Sequence, residues 1–463
     1  MPPENRGVVH VGHDLETQVL VAGAGVAGLL ATHALTQAGL ECMLVERRPR
    51  TRWSDHWCVE VDSHSILSQV IPSPSPECVL HRGEDGVDVF SPSGRKAFTL
   101  SPFPVYSIRL WEYEKQLLKP LASVADVRFD TSLVDFAPAD QGRAVCTLRQ
   151  GEATTRVRCD LVVLATGLSF DLDRQIYAHA GIKRKLPDSD FMSARHETWT
   201  IDPEAMPTSG LPVPPGVEGF FPAVEGPLSV TAVWVDKALS VGAILAGTMS
   251  EDGYRPPDQL LSGLRDKYRV FRDRLSSGGA TIPVRRPVEA LVGRSVALIG
   301  NAAAQAHPMT GCGVALSGHA AHFLADAARE YCRDGRRIES LWPYNTAYQS
   351  RFGASQAAAE VMARFLRRNG RDSNLVETLF GLGVATAEDL QRSTDLRIPL
   401  PTPSEFLSRV GAFAAGTRKT PGLLPMALRM AAAAALYRRF YPSSPDMLAV
   451  RAFTSRAQKL VQG

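Results

Sequence analysis

The sequence predicts an α/β fold: a parallel sheet with helices on its faces, an inserted and mainly antiparallel β region, and a helical C-terminal part. Three observations predict it. Apolar runs at 19–22, 42–45, 160–164 and 294–299 end on a glycine or an acid, as buried parallel strands do. Between residues 170 and 281 proline and glycine become frequent, and half-buried strand patterns run over 191–200 and 229–246. From Trp342 onward the apolar spacing is helical. A chain of 463 residues is long for one core. We assign 17–72, 102–176 and 284–345 to a discontinuous nucleotide-binding domain, 73–101 and 177–283 to a substrate domain, and 346–463 to a helical region.

The first unit is the most informative. After the strand at 19–22 come Gly23-x-Gly25-x-x-Gly28, then an apolar-periodic helix over 26–38, a stop at Gly39, and a second buried strand ending on Glu46. Gly23 permits the tight turn, Gly25 lets backbone approach a pyrophosphate, and Gly28 lets helix and strand pack closely. The pyrophosphate would rest on the free N–H groups around Val26 and Ala27, at the positive end of the helix. Glu46 stands where an acid accepts a hydrogen bond from a ribose hydroxyl. This Rossmann-like unit points to a bound dinucleotide without saying which.

Beyond that unit, Arg47 is a candidate for contact with the nucleotide, whereas Arg48 and Arg50 read as solvated loop residues. A meander follows over 79–104. Arg109 opens a helix whose Leu110, Tyr113, Leu117 and Leu118 share one face. A cation at a helix start meets no favourable dipole, so an anionic ligand nearby explains Arg109 better, with a surface salt bridge as the alternative. Strands are predicted at 127–129 and 144–148, and Gly167 closes the strand that begins at Asp160. In the second domain Phe191, Trp199, Phe220, Phe221 and Trp234 read mainly as core, with a minority as pocket walls. After the strand at 294–300, the turn through Pro308, Gly311 and Gly313 opens a helix from Val314 and again offers backbone N–H groups to an electron-rich ligand. His319 and His322, three apart on that helix, read as packing or surface residues. Helices are predicted over 344–368, 375–382 and 421–440. The last is apolar on most faces and flanked by Arg418, Lys419, Arg438 and Arg439; it either packs on the body or lies on an anionic membrane surface.

Composition narrows the classes. Lys+Arg of 51 against Asp+Glu of 48 gives +3, too balanced to suggest nucleic acid as a partner. Seven cysteines (42, 58, 78, 146, 159, 312, 332) without a CxxC pair suit a reducing compartment and argue against a zinc site or disulfide framework. No secretory h-region and no run of ~20 apolar residues is present, which predicts a cytoplasmic protein, peripheral to a membrane at most.

Three motifs in order now resemble a family. GAGVAG (23–28) with Glu46-Arg47, DLVVLATGLSFDLDR (160–174), and IPVRRP (282–287) followed by GNAA (300–303) and HPMTGCG (307–313) are similar to the FAD-dependent monooxygenase and oxidoreductase superfamily. That superfamily includes aromatic and ubiquinone-biosynthesis hydroxylases, squalene epoxidase and geranylgeranyl reductases. The resemblance covers roughly residues 17 to 350. It implies FAD as cofactor, NAD(P)H as reductant, phosphate contact by Arg109, and flavin contact by Gly167, Asn301 and the 307–314 turn. Thr166 and Asn301 stand where the family commonly carries Asp. HPMTGCG is similar to squalene epoxidases and lycopene cyclases, while SGHAAHFLADAA and YNTAYQSRFG are similar to geranylgeranyl reductases; all act on lipophilic substrates.

The leading expectation is therefore an FAD-dependent monooxygenase, NAD(P)H-driven, that hydroxylates or epoxidises a lipophilic aromatic, quinone- or quinoline-like or prenylated molecule in secondary-metabolite (antibiotic) biosynthesis. The alternative is an FAD-dependent polyprenyl reductase or a cyclase-like isomerase. A third reading is a non-catalytic carrier that borrows the fold. From position alone, His307 is the candidate catalytic residue. No metal is expected, and the oligomeric state is unread.

Overall fold

The structure, a computed structural model, describes residues 15–53, 59–81, 86–101, 105–168, 175–178, 181–182, 186–224, 226, 228–236, 240–251, 253–369, 374–398 and 402–462. Residues 1–14, Cys58 and the 169–174 part of the second motif lie outside these. Strand β1 (Leu15–Ala22), helix α1 (Val26–Gln37) and strand β2 (Cys42–Val45) follow the sequence pattern closely. β1 pairs in parallel with β2 on one side and with β3 (Ala153–Leu164) on the other. β3 pairs in turn with β4 (Val296–Leu298), which returns to this sheet from far along the chain. Helix α1 and helix α3 (Val314–Arg333) pack together over the sheet, and Val19, Leu20, Val21 and Val163 are fully buried. Burial on both faces is why these runs show no polar alternation.

Sequence reasoning began the β3 strand at Asp160. It starts seven residues earlier, at Ala153, because its first half pairs antiparallel with Ala144–Gln150. There exposed and buried residues alternate, so TTRVRC carries no continuous apolar signal. Helix α2 (Leu110–Leu121) buries the predicted face of Leu110, Tyr113, Leu117 and Leu118, and it packs on α1.

The second sheet has seven strands in the order Phe271–Pro283, Phe191–Ile201, Val241–Met249, Val230–Asp236, Glu218–Pro222, Val87–Phe90 and Lys96–Leu100. All its neighbours are antiparallel except Glu218–Pro222 with Val87–Phe90. The run at 229–246 is two paired strands rather than one. Helix Pro257–Lys267 covers one face through Leu260 and Leu261, against Phe221, Val233 and Ile244. Phe191, Phe221 and Trp234 are buried, in line with their reading as mainly core.

The helix predicted over 344–368 is interrupted. A π-helical turn at Gln349–Gly353 separates Pro343–Tyr348 from α4 (Ala354–Asn369). Gly353 sits in that turn, where a Cβ would lie 2.4 Å from the Gln349 side chain and 2.9 Å from Tyr437. Close crossing by α5 (Leu423–Phe440) therefore requires glycine there. A final helix, α6 (Met447–Gln462), was not anticipated. The C-terminal helices are tied to the body by a buried, charge-balanced network of Arg285, Arg286 and Arg364 with Asp190, Glu289 and Glu360. Arg286, 3% exposed, donates to Glu360 and Glu289 at 2.7 Å each and to the Tyr437 hydroxyl at 3.0 Å. Arg364 bridges Glu360 and Asp190 at 2.8 Å each. So much opposite charge holds the Glu360 carboxyl down at about 2 despite its burial.

Candidate functional site

A cavity of about 770 Å³ opens where β1, β3 and β4 end. Its middle is the glycine turn after β1. Gly23 has φ +105°, and a Cβ there would lie 2.5 Å from the Ala165 carbonyl oxygen; a Cβ on Gly28 would lie 1.8 Å from the carbonyl oxygen of Gly23. Gly28 is thus spent on helix–strand packing and is not on the cavity wall, while Gly23, Gly25, Val26 and Ala27 are. The turn after β4 presses on the same place: Gly300, φ +66°, leaves 2.6 Å between its missing Cβ and that of Ala27.

At one end of the cavity stands Glu46, 5% exposed. Its Oε2 accepts from the Ala24 N–H at 2.9 Å, and its Oε1 accepts from Arg48, both backbone N–H and Nε, at 3.0 Å. These bonds hold the carboxylate against the turn and leave lone pairs for a further donor such as a sugar hydroxyl. Arg48 is therefore no solvated loop residue; it clamps Glu46 and lines the cavity with Arg47, Thr131 and Arg149. Arg50 is exposed and stands over Phe129, 5.9 Å from the ring centre.

One expectation for the middle of the site changes. Arg109 caps α2 but is not on the wall, and its Nη1 donates to the Glu77 carbonyl at 3.4 Å. The residue that α2 does bring to the cavity is Glu114, fully buried, whose Oε1 accepts from the Val26 N–H at 3.1 Å. Sequence reasoning passed over Glu114, although a lone acid at the centre of an apolar helix face was the available signal.

The far end is built by the third motif. Gly311, Gly313 and Val314 line it with Asn301 and Ser317, and α3 begins there from Gly313 without a side-chain cap. The positive end of α3 thus faces the cavity. The turn is held from behind: Gln305 accepts from the Gly300 N–H at 2.7 Å, and Gln356 donates to the Ala306 carbonyl at 2.9 Å. His307 belongs to that scaffold. Its backbone N–H donates to the Cys312 carbonyl at 2.8 Å, and its Nδ1 lies 3.2 Å from the Thr310 hydroxyl. It is 1% exposed, and burial pushes its pKa down to about 4, so the ring is neutral. Neither His307 nor Pro308 lines the cavity, and the geometry gives His307 no catalytic position. His319 is likewise buried, against Phe352, as a packing residue. Thr166 and Gly167 close the wall near Gln175.

Ala280 and Ile282 bring the second sheet to the cavity. Ala280 is paired with Ala194, which faces Gly247, and Ile282 with Met192, which faces Met249. Directly opposed residues share a sheet face, so this face is apolar across three strands. A cavity with an acid at one end, a glycine turn at its centre, and a helix N-terminus beside an apolar face fits an extended dinucleotide.

The pattern of the family described as "FAD binding domain" matches residues 16–54. A digeranylgeranylglycerophospholipid reductase of Sulfolobus acidocaldarius is 24% identical over 374 residues, 78% of this chain and 79% of that protein. Digeranylgeranylglycerophospholipid reductase 1 of Methanopyrus kandleri is 27% identical over 366 residues, 76% of this chain and 91% of that one. Among solved structures, a geranylgeranyl bacteriochlorophyll reductase-like protein of Thermoplasma acidophilum aligns with a TM-score of 0.69 at 17% identity, covering 89% of this chain and all of that one. A flavin-dependent brominase aligns with a TM-score of 0.61 at 13% identity, over 86% and 99% of the two chains.

Proposed function

Because the chain is an FAD-dependent oxidoreductase, we propose that it reduces carbon–carbon double bonds of a prenylated, lipophilic substrate, with NAD(P)H as electron source. The observation that carries this reading is the match, over some three quarters of the chain, to relatives named as reductases of a digeranylgeranyl lipid. The expectation from sequence put oxygen insertion first and polyprenyl reduction second; the relatives favour the second.

Bound FAD would supply the electrons. The chain's own residues would hold it: Glu46 the ribose, Gly25 and Ala27 at the positive end of α1 the phosphates (the Val26 N–H being taken by Glu114), and the Gly311–Val314 turn with Asn301 the ring end. The positive end of the α3 dipole would stabilise negative charge at that end of the ring. The apolar face carrying Ala280, Ile282, Met192 and Ala194 receives an alkene and excludes water.

The test is anaerobic. Protein reduced by NAD(P)H under argon is mixed with a geranylgeranyl-bearing lipid, and the product is weighed by mass spectrometry. Gain of two hydrogens per double bond, with reoxidation of the flavin, is the expected result. If nothing happens until oxygen is admitted, and the product then gains one oxygen atom, the chain is a monooxygenase instead.

A further inference from the structure

Helix α5 is apolar on two opposite faces. One face, with Leu423, Met426, Met430, Ala433 and Tyr437, is buried against the body, and α4 is its main partner. The opposite face carries Leu424, Leu428, Ala431 and Ala435, spaced four, three and four apart, and all are exposed. Leu428 is 63% exposed and Phe440, at the helix end, 65%. Just beyond, Met447 and Leu448 open α6, and Leu448 is 75% exposed. Such a run of large exposed apolar side chains is costly in water unless something covers it.

The charge around it says what covers it. From Arg409 to the end the chain holds nine basic residues and one acid, Asp446, a local charge of +8; the whole chain is +3, so the rest is −5. Arg418, Lys419, Arg438, Arg439, Arg451 and Arg456 are exposed, and none makes an ion pair among the described residues. Arg438 and Arg439 continue the apolar stripe itself. A second copy of this chain on this face would oppose like charges. No described helix is long and apolar enough to cross a bilayer.

We propose that the outer face of α5, with the start of α6, is a docking surface for an anionic lipid membrane. Leu424, Leu428, Phe440 and Leu448 sink into the headgroup boundary while the flanking arginines meet lipid phosphates. This surface is separate from the cavity, and its test needs no turnover.

FAD-loaded protein is sedimented with vesicles of pure phosphatidylcholine or of equimolar phosphatidylcholine and phosphatidylglycerol. Wild type should pellet with the anionic vesicles, at least about tenfold more weakly in 0.5 M salt, where charges are screened within a few ångströms. Leu424→Glu/Leu428→Glu and Arg438→Glu/Arg439→Glu should each lose binding while keeping bound flavin, since all four side chains are exposed. Wild-type protein that ignores anionic vesicles at low salt would overturn the proposal. So would stripe variants that bind as wild type does. A dimer in solution that Leu424→Glu/Leu428→Glu dissolves would also overturn it, assigning the face to self-association.

Discussion

At the scale of single residues, Glu46 joins two functions that its position at a strand end does not reveal. It fixes the glycine turn through Ala24 and lines the cavity, where its remaining lone pairs can accept from a bound nucleotide. Glu46→Ala removes both, and FAD affinity should fall by about 1–3 kcal/mol, the cost of an unmet charged hydrogen bond. Arg48→Ala leaves the carboxylate in place and should cost less. Flavin fluorescence titration of the two variants decides; equal affinities would reduce Glu46 to a strand-end residue. That Glu46 reaches the cavity was legible because its spacing from Gly28 is set by one helix and one strand. Arg48 and Glu114 escaped notice because a loop arginine and a helix acid reveal their partners only when distant segments meet. Buried histidines give a second prediction. His196, His307 and His319 each have their pKa pushed down to about 4 by burial. In the unfolded chain they titrate near 6.5, so between these values the unfolded state binds more protons. Their contribution is fully present above pH 6.5 and is lost as pH falls toward 4, by about 1.4 kcal/mol per pH unit for each histidine. The urea midpoint should drop between pH 7 and 5.5, and His196→Gln should flatten that drop. A flat midpoint in the wild type sinks the argument.

Among elements, α1 and β2 were legible almost to the residue because a glycine-punctuated parallel unit has both its period and its stops written locally, whereas β1 begins four residues before the predicted 19, at Leu15, where the chain is polar and less buried. The same unit makes contrasting demands on its glycines. Gly28 touches backbone, and Ala in its place must push β1 and α1 apart, costing about 3 kcal/mol or more. Gly39 needs only its positive φ of +81° and has open space around it, so Gly39→Ala should cost roughly 1–2 kcal/mol. Thermal melts of the flavin-free proteins should show this order; the reverse order would mean the turn accommodates a methyl group. Elements whose signal is not local were the ones missed. The π-helical turn at Gln349–Gly353 exists because Tyr437 crosses there, more than eighty residues later in the chain. The first half of β3 reads as polar because there it pairs with an antiparallel hairpin neighbour and its side chains reach solvent.

For the whole molecule, the sequence conveyed a nucleotide-binding sheet, an antiparallel domain and helices, but not what joins them. IPVRRP belongs to a motif of the resemblance, yet its Arg285 and Arg286 lie in the buried network that ties α4 and α5 to the segments flanking the second sheet. Glu360→Gln leaves Arg286 short of a charge in a dry site and should destabilise by about 3–5 kcal/mol. Arg286→Met/Glu360→Leu removes the pair together and should cost less than the sum of the single changes. Urea denaturation of the three proteins measures this. Additive effects would mean the two side chains are energetically independent.

The cavity also has a consequence for how the protein is made. Its glycine turn and Glu46 come from the first fifty residues, while Gly300, Gly311 and Val314 come from far later in the chain. A ribosome releases the first of these segments long before the second, so the nascent chain carries half a cradle for most of its synthesis. Cofactor capture belongs to the end of translation. A dinucleotide held by both turns would favour the assembled state by mass action, so added FAD should raise the melting temperature of the finished chain.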